Sequence, residues 1–214
     1  MKKYKAILFD FDGTIADTNE IILKSWRYIY MHYLGRECRD EEVVNSFGEV
    51  LIDTLIERFP NEDPEEMLDL FRNYQKTFFE EEIEIFPGMK ELIVELEKRG
   101  YKLAIVTSRT KSQTLVGLKK FDLLSKFDAF VSCEDTTAHK PDPAPTLIAL
   151  DKLGVKPNEA IFVGDSKNDI KCAHNAGVAA VLVDWTICLP EKERFGENRA
   201  EYVITAPEQL LNIV

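Results

Sequence analysis

From Phe86 onward the chain alternates short apolar runs of strand length with stretches whose apolar residues recur at helical spacing. The runs fall at 101–107, 127–131, 160–163 and 178–183. Strands that are apolar throughout, rather than at every second position, are covered on both faces, and strand–helix–strand order makes them parallel. The helices between them carry their own punctuation. Pro87 opens one through Met89, Leu92, Ile93 and Leu96, and Lys98-Arg99-Gly100 closes it with cations in the last turn and a glycine beyond. A second spans 113–120. A third begins at Asp142-Pro143, runs through Leu147, Leu150 and Leu153 and ends at Gly154, and a fourth follows Gly164-Asp165 to about Ala176. An extended piece at Tyr202-Val203-Ile204 and a last helix after Pro207 complete the tail. The predicted class is α/β, a doubly wound, Rossmann-like parallel sheet with its ligand crevice beyond the C-terminal strand ends.

One more strand of this kind stands far upstream, where Ala6-Ile7-Leu8-Phe9 runs into Asp10-Phe11-Asp12-Gly13-Thr14. Side chains alternate along a strand, so Asp10 and Asp12 point to one side of the backbone, and Gly13 lets the chain turn away at once. Between this strand and Phe86 every periodicity is helical. Asp17 and Thr18 cap a predicted helix to about Leu34, with Ile22, Trp26, Ile29 and Tyr33 on its apolar face and Gly35 at its end. Leu51, Ile52, Leu55, Ile56 and Phe59 mark a second. A third opens at Asp63, with Pro64 in the first helical position and Glu66 closing a capping-box-like pair, and turns Met67, Phe71, Tyr74 and Phe78 inward. The α/β core is therefore expected to come from residues 1–15 and 85–214, with 16–84 inserted as a helical cap domain.

At 214 residues there is enough chain for one good core and a small accessory domain. Lys+Arg of 27 against Asp+Glu of 38 leaves a net −11, with the acids dispersed, which argues against nucleic acid or an anionic membrane surface as partner. Phosphate can still be bound, through local devices: a metal, backbone amides and a few placed cations. No apolar run has the length of a membrane span. Met1-Lys2-Lys3-Tyr4-Lys5 is basic, but only Ala6 to Phe9 follow before Asp10, too short for a signal-peptide core. Cys38, Cys133, Cys172 and Cys188 are scattered with no C-x-x-C and read as buried free thiols of a cytoplasmic protein. A monomer or weak homodimer is expected.

In a doubly wound sheet the loops after the strands share one crevice. Here they bring Asp10 and Asp12 after the first strand, Thr107 and Ser108 after the second, and Lys140 after the third, with Pro141 behind it at the entry to a helix. After the fourth come Gly164-Asp165-Ser166, with Asp169 one helical turn on and facing the same way as Asp165. Crowded carboxylates repel unless a cation sits among them, so a hard divalent ion, Mg2+, is expected. A phosphoryl group can then enter only against the metal, Lys140 and the hydroxyl and amide donors. A carboxylate can attack phosphorus to form an acyl phosphate that water cleaves, while a neighbouring acid protonates the leaving oxygen and then serves as base. Outside this set, Arg109 reads as an exposed loop arginine, His139 as a local structural residue, and His32 and His174 as surface or core-edge residues. Trp185 reads as packing under the tail. The loop glycine of Phe47-Gly48-Glu49 could reach over the crevice.

Together these motifs resemble the haloacid dehalogenase superfamily of aspartate-nucleophile phosphotransferases, in the branch with a helical cap after the first motif. The matching residues are Asp10-Phe11-Asp12-Gly13-Thr14, Thr107, Lys140-Pro141 and Gly164-Asp165-Ser166-Lys167-Asn168-Asp169, in order and at fitting intervals. The resemblance implies Asp10 as nucleophile and metal ligand, and Asp12 as general acid/base with its main-chain carbonyl on the metal. It implies Asp165 as metal ligand, Asp169 as support for the metal shell, and Thr107 with Lys140, beside Ser108, on the phosphoryl group. The dehalogenases that name the superfamily lack the second acid, so Asp12 favours a phosphate substrate. Similar sugar phosphomutases carry a histidine ten residues beyond that acid, where Ile22 stands, and an arginine after the cap-loop glycine, where Gly48 is followed by Glu49, Val50 and Leu51. Residues 200–204 and the run Lys140-Pro141-Asp142-Pro143 are similar to phosphoglycolate-phosphatase-like and pyrophosphatase-like members. The implied activity is Mg2+-dependent hydrolysis of a small phosphomonoester, a phosphorylated metabolite, through an aspartyl-phosphate. A sugar phosphomutase and a non-catalytic phosphate-binding regulator are the alternatives.

Overall fold

The computed structural model describes residues 3–186 and 199–214. In chain order its first elements are β1 (Ala6–Phe9), β2 (Ala16–Asp17), α1 (Asn19–Leu34), α2 (Asp40–Val43), α3 (Leu51–Arg58), α4 (Pro64–Lys76), α5 (Phe79–Glu82) and β3 (Glu84–Ile85). Strand and helix then alternate: α6 (Met89–Lys98), β4 (Lys102–Val106), α7 (Lys111–Lys120), β5 (Ala129–Val131), α8 (Ala144–Leu153), β6 (Ala160–Gly164), α9 (Lys167–Asn175), β7 (Ala179–Val183) and β8 (Tyr202–Ile204). A 3-10 segment, Pro207–Asn212, closes the tail where a full helix was predicted. No helix among the described residues is long and apolar enough to cross a membrane.

Six strands form one parallel sheet in the order β5-β4-β1-β6-β7-β8. The unbroken apolar runs have a direct cause in its two faces. Ile7, Phe9, Leu103, Ile105, Ile161 and Val163 pack on one side with Met89, Leu92, Ile93 and Leu96 of α6 and Leu118 of α7. Ala6, Leu8, Ala104, Val106 and Phe162 pack on the other with Ala149, Leu150 and Leu153 of α8 and Ile170 and Ala173 of α9. The strand order reverses between β1 and β6, so the loops after those two strands open the crevice typical of such sheets.

The helices α1 to α4 enclose a third apolar cluster of their own, including Trp26, Ile29, Tyr30, Leu55, Phe59, Met67 and Phe71. Asp63 accepts from the amides of Glu65 and Glu66 at 2.9 and 3.0 Å, but the Glu66 side chain makes no return bond, so this cap is one-sided. Thr18 sits at the start of α1 without a side-chain cap; Asp17 accepts from the Asn19 amide at 3.2 Å instead. The sequence showed no strand in this region, yet β2 and β3 pair antiparallel, Ala16 against Ile85 and Asp17 against Glu84. Two residues per strand are too few for a period-2 pattern to register. Cys38 and Cys172 are buried free thiols, whereas Cys133 is only half-buried, a correction to its predicted burial, and Cys188 lies outside the described residues.

Candidate active site

Asp10 continues β1 by one step, its amide donating to Val163 O at 2.9 Å, and its carboxylate is 4 % exposed at the strand mouth. Across the reversal point, Asp165 follows β6. Gly13 passes so close that a β-carbon there would lie 2.1 Å from Asp165 Oδ2, and its φ of 71° is itself a glycine conformation. The turn after β1 therefore depends on having no side chain at this point.

Lys140 comes in from the loop before α8 and ties the acids together. Its Nζ donates to Asp10 Oδ1 at 2.8 Å and Asp169 Oδ1 at 2.6 Å, all three side chains being buried. The other oxygen of Asp169 accepts from the Ser166 amide and hydroxyl at 3.0 and 2.6 Å, so α9 and Lys140 hold this carboxylate from both sides. Asp10, Asp165 and Asp169 each offer a carboxylate oxygen, and these atoms lie within 4.8 Å of one another. Three buried carboxylates around one ammonium form an all-oxygen donor set with surplus negative charge, which fits a hard divalent cation. Since both Asp169 oxygens are already engaged, Asp10 and Asp165 are the better placed to meet one.

The same crowding shows in titration. Burial, seconded by Asp169 and Asp12 and opposed by Lys140, pushes the Asp10 carboxyl up to about 7. Burial alone would lower the Lys140 ammonium, but the facing carboxylates outweigh it and hold Lys140 above its ordinary value. Between the ordinary value of 3.8 and about 7, the native state keeps a proton on Asp10 that the unfolded chain has lost. Stability should therefore fall as pH rises through this window, by about 4 kcal/mol in total. Lys140 stays charged throughout and adds no slope. Thermal unfolding in chelator should thus give a melting temperature that drops from pH 5 to pH 8, and Mg2+ should flatten the drop; a profile already flat without metal would contradict this reading.

Asp12 lines the same crevice but leans away from the metal-sized cluster. Both of its oxygens accept from Arg109 Nε, at 2.9 and 2.8 Å. Arg109 was expected to be an exposed loop arginine; its side chain is 7 % exposed, stacks 4.6 Å from the Phe79 ring centroid and donates from Nη1 to Gln75 Oε1 at 2.8 Å. Gln75, buried on α4, donates in turn to Ser25 Oγ on α1 at 3.4 Å. A chain of polar contacts thus joins Asp12 to the helical block, and nothing local at Arg109 foretold it. The one sequence trace is Gln75 itself, a polar residue on the buried face of an amphipathic helix.

Thr107 Oγ1 accepts from the Arg109 amide at 3.1 Å, which fixes the turn and leaves its hydroxyl proton free to donate. Ser108 Oγ is buried, with no hydrogen-bond partner among the described residues. Neither caps α7, which begins after Thr110. Asp10, Asp12, Thr107, Ser108, Lys140 and Asp165 all line one cavity, and Asp169 lies behind them. Phe47, Gly48 and Glu49 line it from the opposite side. Gly48 is pressed onto the core: a β-carbon would come within 2.6 Å of Ser166 Oγ, and its carbonyl accepts from Asn168 Nδ2 at 3.3 Å. The other residues singled out earlier stay outside. His139 contributes a carbonyl to a turn, His174 bonds Glu201 at 3.2 Å, His32 packs on Tyr28 and Tyr33, and Trp185 packs on Phe86.

A family model described as haloacid dehalogenase-like hydrolase matches residues 7–183. The chain is 42% identical to a protein of Caldanaerobacter subterraneus subsp. tengcongensis provisionally named pyrophosphatase PpaX, over 99% of this chain and 95% of that one. It is 34% identical to the pyrophosphatase PpaX of Bacillus velezensis, over 99% and 97%. Among solved structures, a Lactobacillus plantarum protein provisionally described as a phosphoglycolate phosphatase superposes with a TM-score of 0.89 at 24% identity, covering 100% of both chains; that likeness shows the fold.

Proposed function

Because the chain belongs to the haloacid dehalogenase-like hydrolase family, we propose that this phosphatase hydrolyses a small phosphorylated compound, a phosphomonoester or phosphoanhydride, with Asp10 as nucleophile and Mg2+ as cofactor. The observation that carries the reading is Lys140 Nζ between Asp10 and Asp169, at 2.8 and 2.6 Å, with Asp165 beside them and hydroxyl donors within the same cavity. Asp10 and Asp165 would hold Mg2+, aided by the main-chain carbonyl of Asp12, with Asp169 supporting from behind. When bound, Mg2+ supplies charge stabilisation to the transferring phosphoryl group.

The chain's own groups do the rest. An Asp10 carboxylate oxygen forms a bond to phosphorus as the bond to the leaving oxygen breaks, and that oxygen takes a proton from Asp12. Lys140, Thr107 and Ser108 hold the phosphoryl oxygens while charge moves across them. Water then attacks the aspartyl-phosphate, giving its proton to Asp12, and orthophosphate leaves with Asp10 restored. Residues 16–84 act as a helical cap that keeps bulk water from the intermediate. The names of the relatives and Ile22 at the position where mutases carry a histidine support hydrolysis over phosphoryl migration. The test is release of orthophosphate from pyrophosphate, phosphoglycolate, sugar phosphates and nucleotides, each with and without Mg2+. Release from at least one, and only with a divalent ion, is expected; isomerisation of a sugar phosphate with no net release would overturn it.

A further inference from the structure

Asp165, one of the three acids gathered at the strand mouths, takes a hydrogen bond from a part of the chain outside the loops described above: Thr186 Oγ1 donates to Asp165 Oδ2 at 3.2 Å. Thr186 is half-buried and stands in the stretch after β7. Strand register alone would not bring it there. Gly164 pairs with Leu182, so Thr186, four residues on, would lie about 13 Å past that rung if the chain ran straight. The chain instead folds back over the end of β6, and its course is anchored on the way. The Asp184 amide donates to Ile204 O at 2.9 Å, and the Trp185 ring packs 6.0 Å from that of Phe86.

The acids of the cluster are thus held by different donors. Asp10 and Asp169 share the Lys140 ammonium, and Asp169 also takes the amide and hydroxyl of Ser166. Asp165 takes the hydroxyl of Thr186, a neutral donor that orients the carboxylate without cancelling its charge. A carboxylate can turn about its last bond, and a donor on one oxygen decides where the other points. Gly13 lies against the same Oδ2, where a β-carbon would come within 2.1 Å, so backbone packs against this oxygen while Thr186 holds it. A ligand already turned into place loses less freedom when a cation arrives. Removing such an outer partner weakens metal binding by about 10- to 100-fold.

We propose that Thr186 is a positioning residue of the metal site, its hydroxyl holding the Asp165 carboxylate in place so that Mg2+ meets a ready ligand. This rests on the metal part of the phosphatase reading and adds a residue from a strand end that carries none of the motifs. The test is calorimetric titration of Mg2+ alone into protein freed of metal by chelator and desalting. Wild type is compared with Thr186→Val, which keeps the shape and drops the hydroxyl, and with Thr186→Ser, which keeps the hydroxyl. Thr186→Val should raise the Mg2+ dissociation constant about tenfold or more, and Thr186→Ser should stay within about threefold of wild type. Asp165→Asn, titrated beside them, should lose the binding event and so marks the site being read. A structural fault would persist at any Mg2+ concentration. In Thr186→Val, by contrast, kcat on the best phosphorylated substrate should return to within about threefold of wild type once Mg2+ is saturating. Unchanged affinity in Thr186→Val, equal weakening in Thr186→Ser, or a kcat that stays low at saturating Mg2+ would overturn the proposal and leave the phosphatase reading standing. Wild-type protein that took up no Mg2+ would overturn both. Should Thr186→Val not fold, Thr186→Ala against Thr186→Ser decides in the same way.

Discussion

Asp10→Asn is expected to leave a folded protein with essentially no turnover, kcat falling by about 10⁴-fold or more. Asparagine keeps the shape and an acceptor oxygen for Lys140, but an amide cannot become an acyl phosphate and then return to its starting state. The same change removes one of three crowded acids. In chelator at pH 8 the variant should therefore melt at or above the wild-type temperature, because the proton that Asp10 recruits near pH 7 is no longer needed. Phosphate release and thermal unfolding on the same preparation check both halves. Wild-type turnover would end the aspartyl-phosphate mechanism, and a large loss of stability would mean that Asp10 serves the fold rather than the reaction.

Lys140→Met should behave in the opposite way, with activity and stability failing together. Lys140, Asp10 and Asp169 are 5 %, 4 % and 0 % exposed. Removing the ammonium strands two buried carboxylates without their shared counter-ion, and breaking a buried pair in this manner costs about 3–5 kcal/mol. For a chain of this length that is a drop of roughly 10 °C in melting temperature. Adding Asp10→Asn to Lys140→Met should restore part of the loss, since one of the stranded charges disappears; the two changes then couple instead of adding. Denaturant unfolding of the two single variants and the double one measures this. A Lys140→Met protein as stable as wild type would show that the acids find another partner and that the lysine is not the hub of the site.

The loops of the sheet could be read from the sequence because their placement follows from local facts. Apolar runs such as Ile7 to Phe9 and Ile161 to Val163 fix which strands are covered on both faces, and that fixes where strand ends gather. Asp10, Thr107, Lys140 and Asp165 then fall into one crevice by topology alone. The other wall has no such shortcut. Arg109 was misread because its burial comes from Phe79 and Gln75, residues that approach only when the helices close on the sheet. Gln75 was passed over for the same reason: on α4 it is an ordinary member of an amphipathic helix, and only the folded structure brings Arg109 and Ser25 to it. Tyr74 and Phe78, read as part of that helix's apolar side, are half-buried: Tyr74 stacks on Tyr28 and meets Phe78 edge to face, while Phe78 also packs against the core. Glu66 shows the limit of a cap motif, since the reciprocal bond needs a rotamer that spacing does not specify.

The short ribbon of β2 and β3 sets Ala16 opposite Ile85 and Asp17 opposite Glu84, so the helical block leaves and rejoins the sheet through neighbouring stems. Any insert whose own ends sit one strand spacing apart, about 5 Å, can be grafted onto such a stem without disturbing the register of the sheet. The Gly48 loop lies within the helical block, whereas Asp10, Lys140 and Asp165 lie on loops of the sheet. Under the proposed mechanism, an exchange of the helical block would leave the groups assigned to bond breaking where they are.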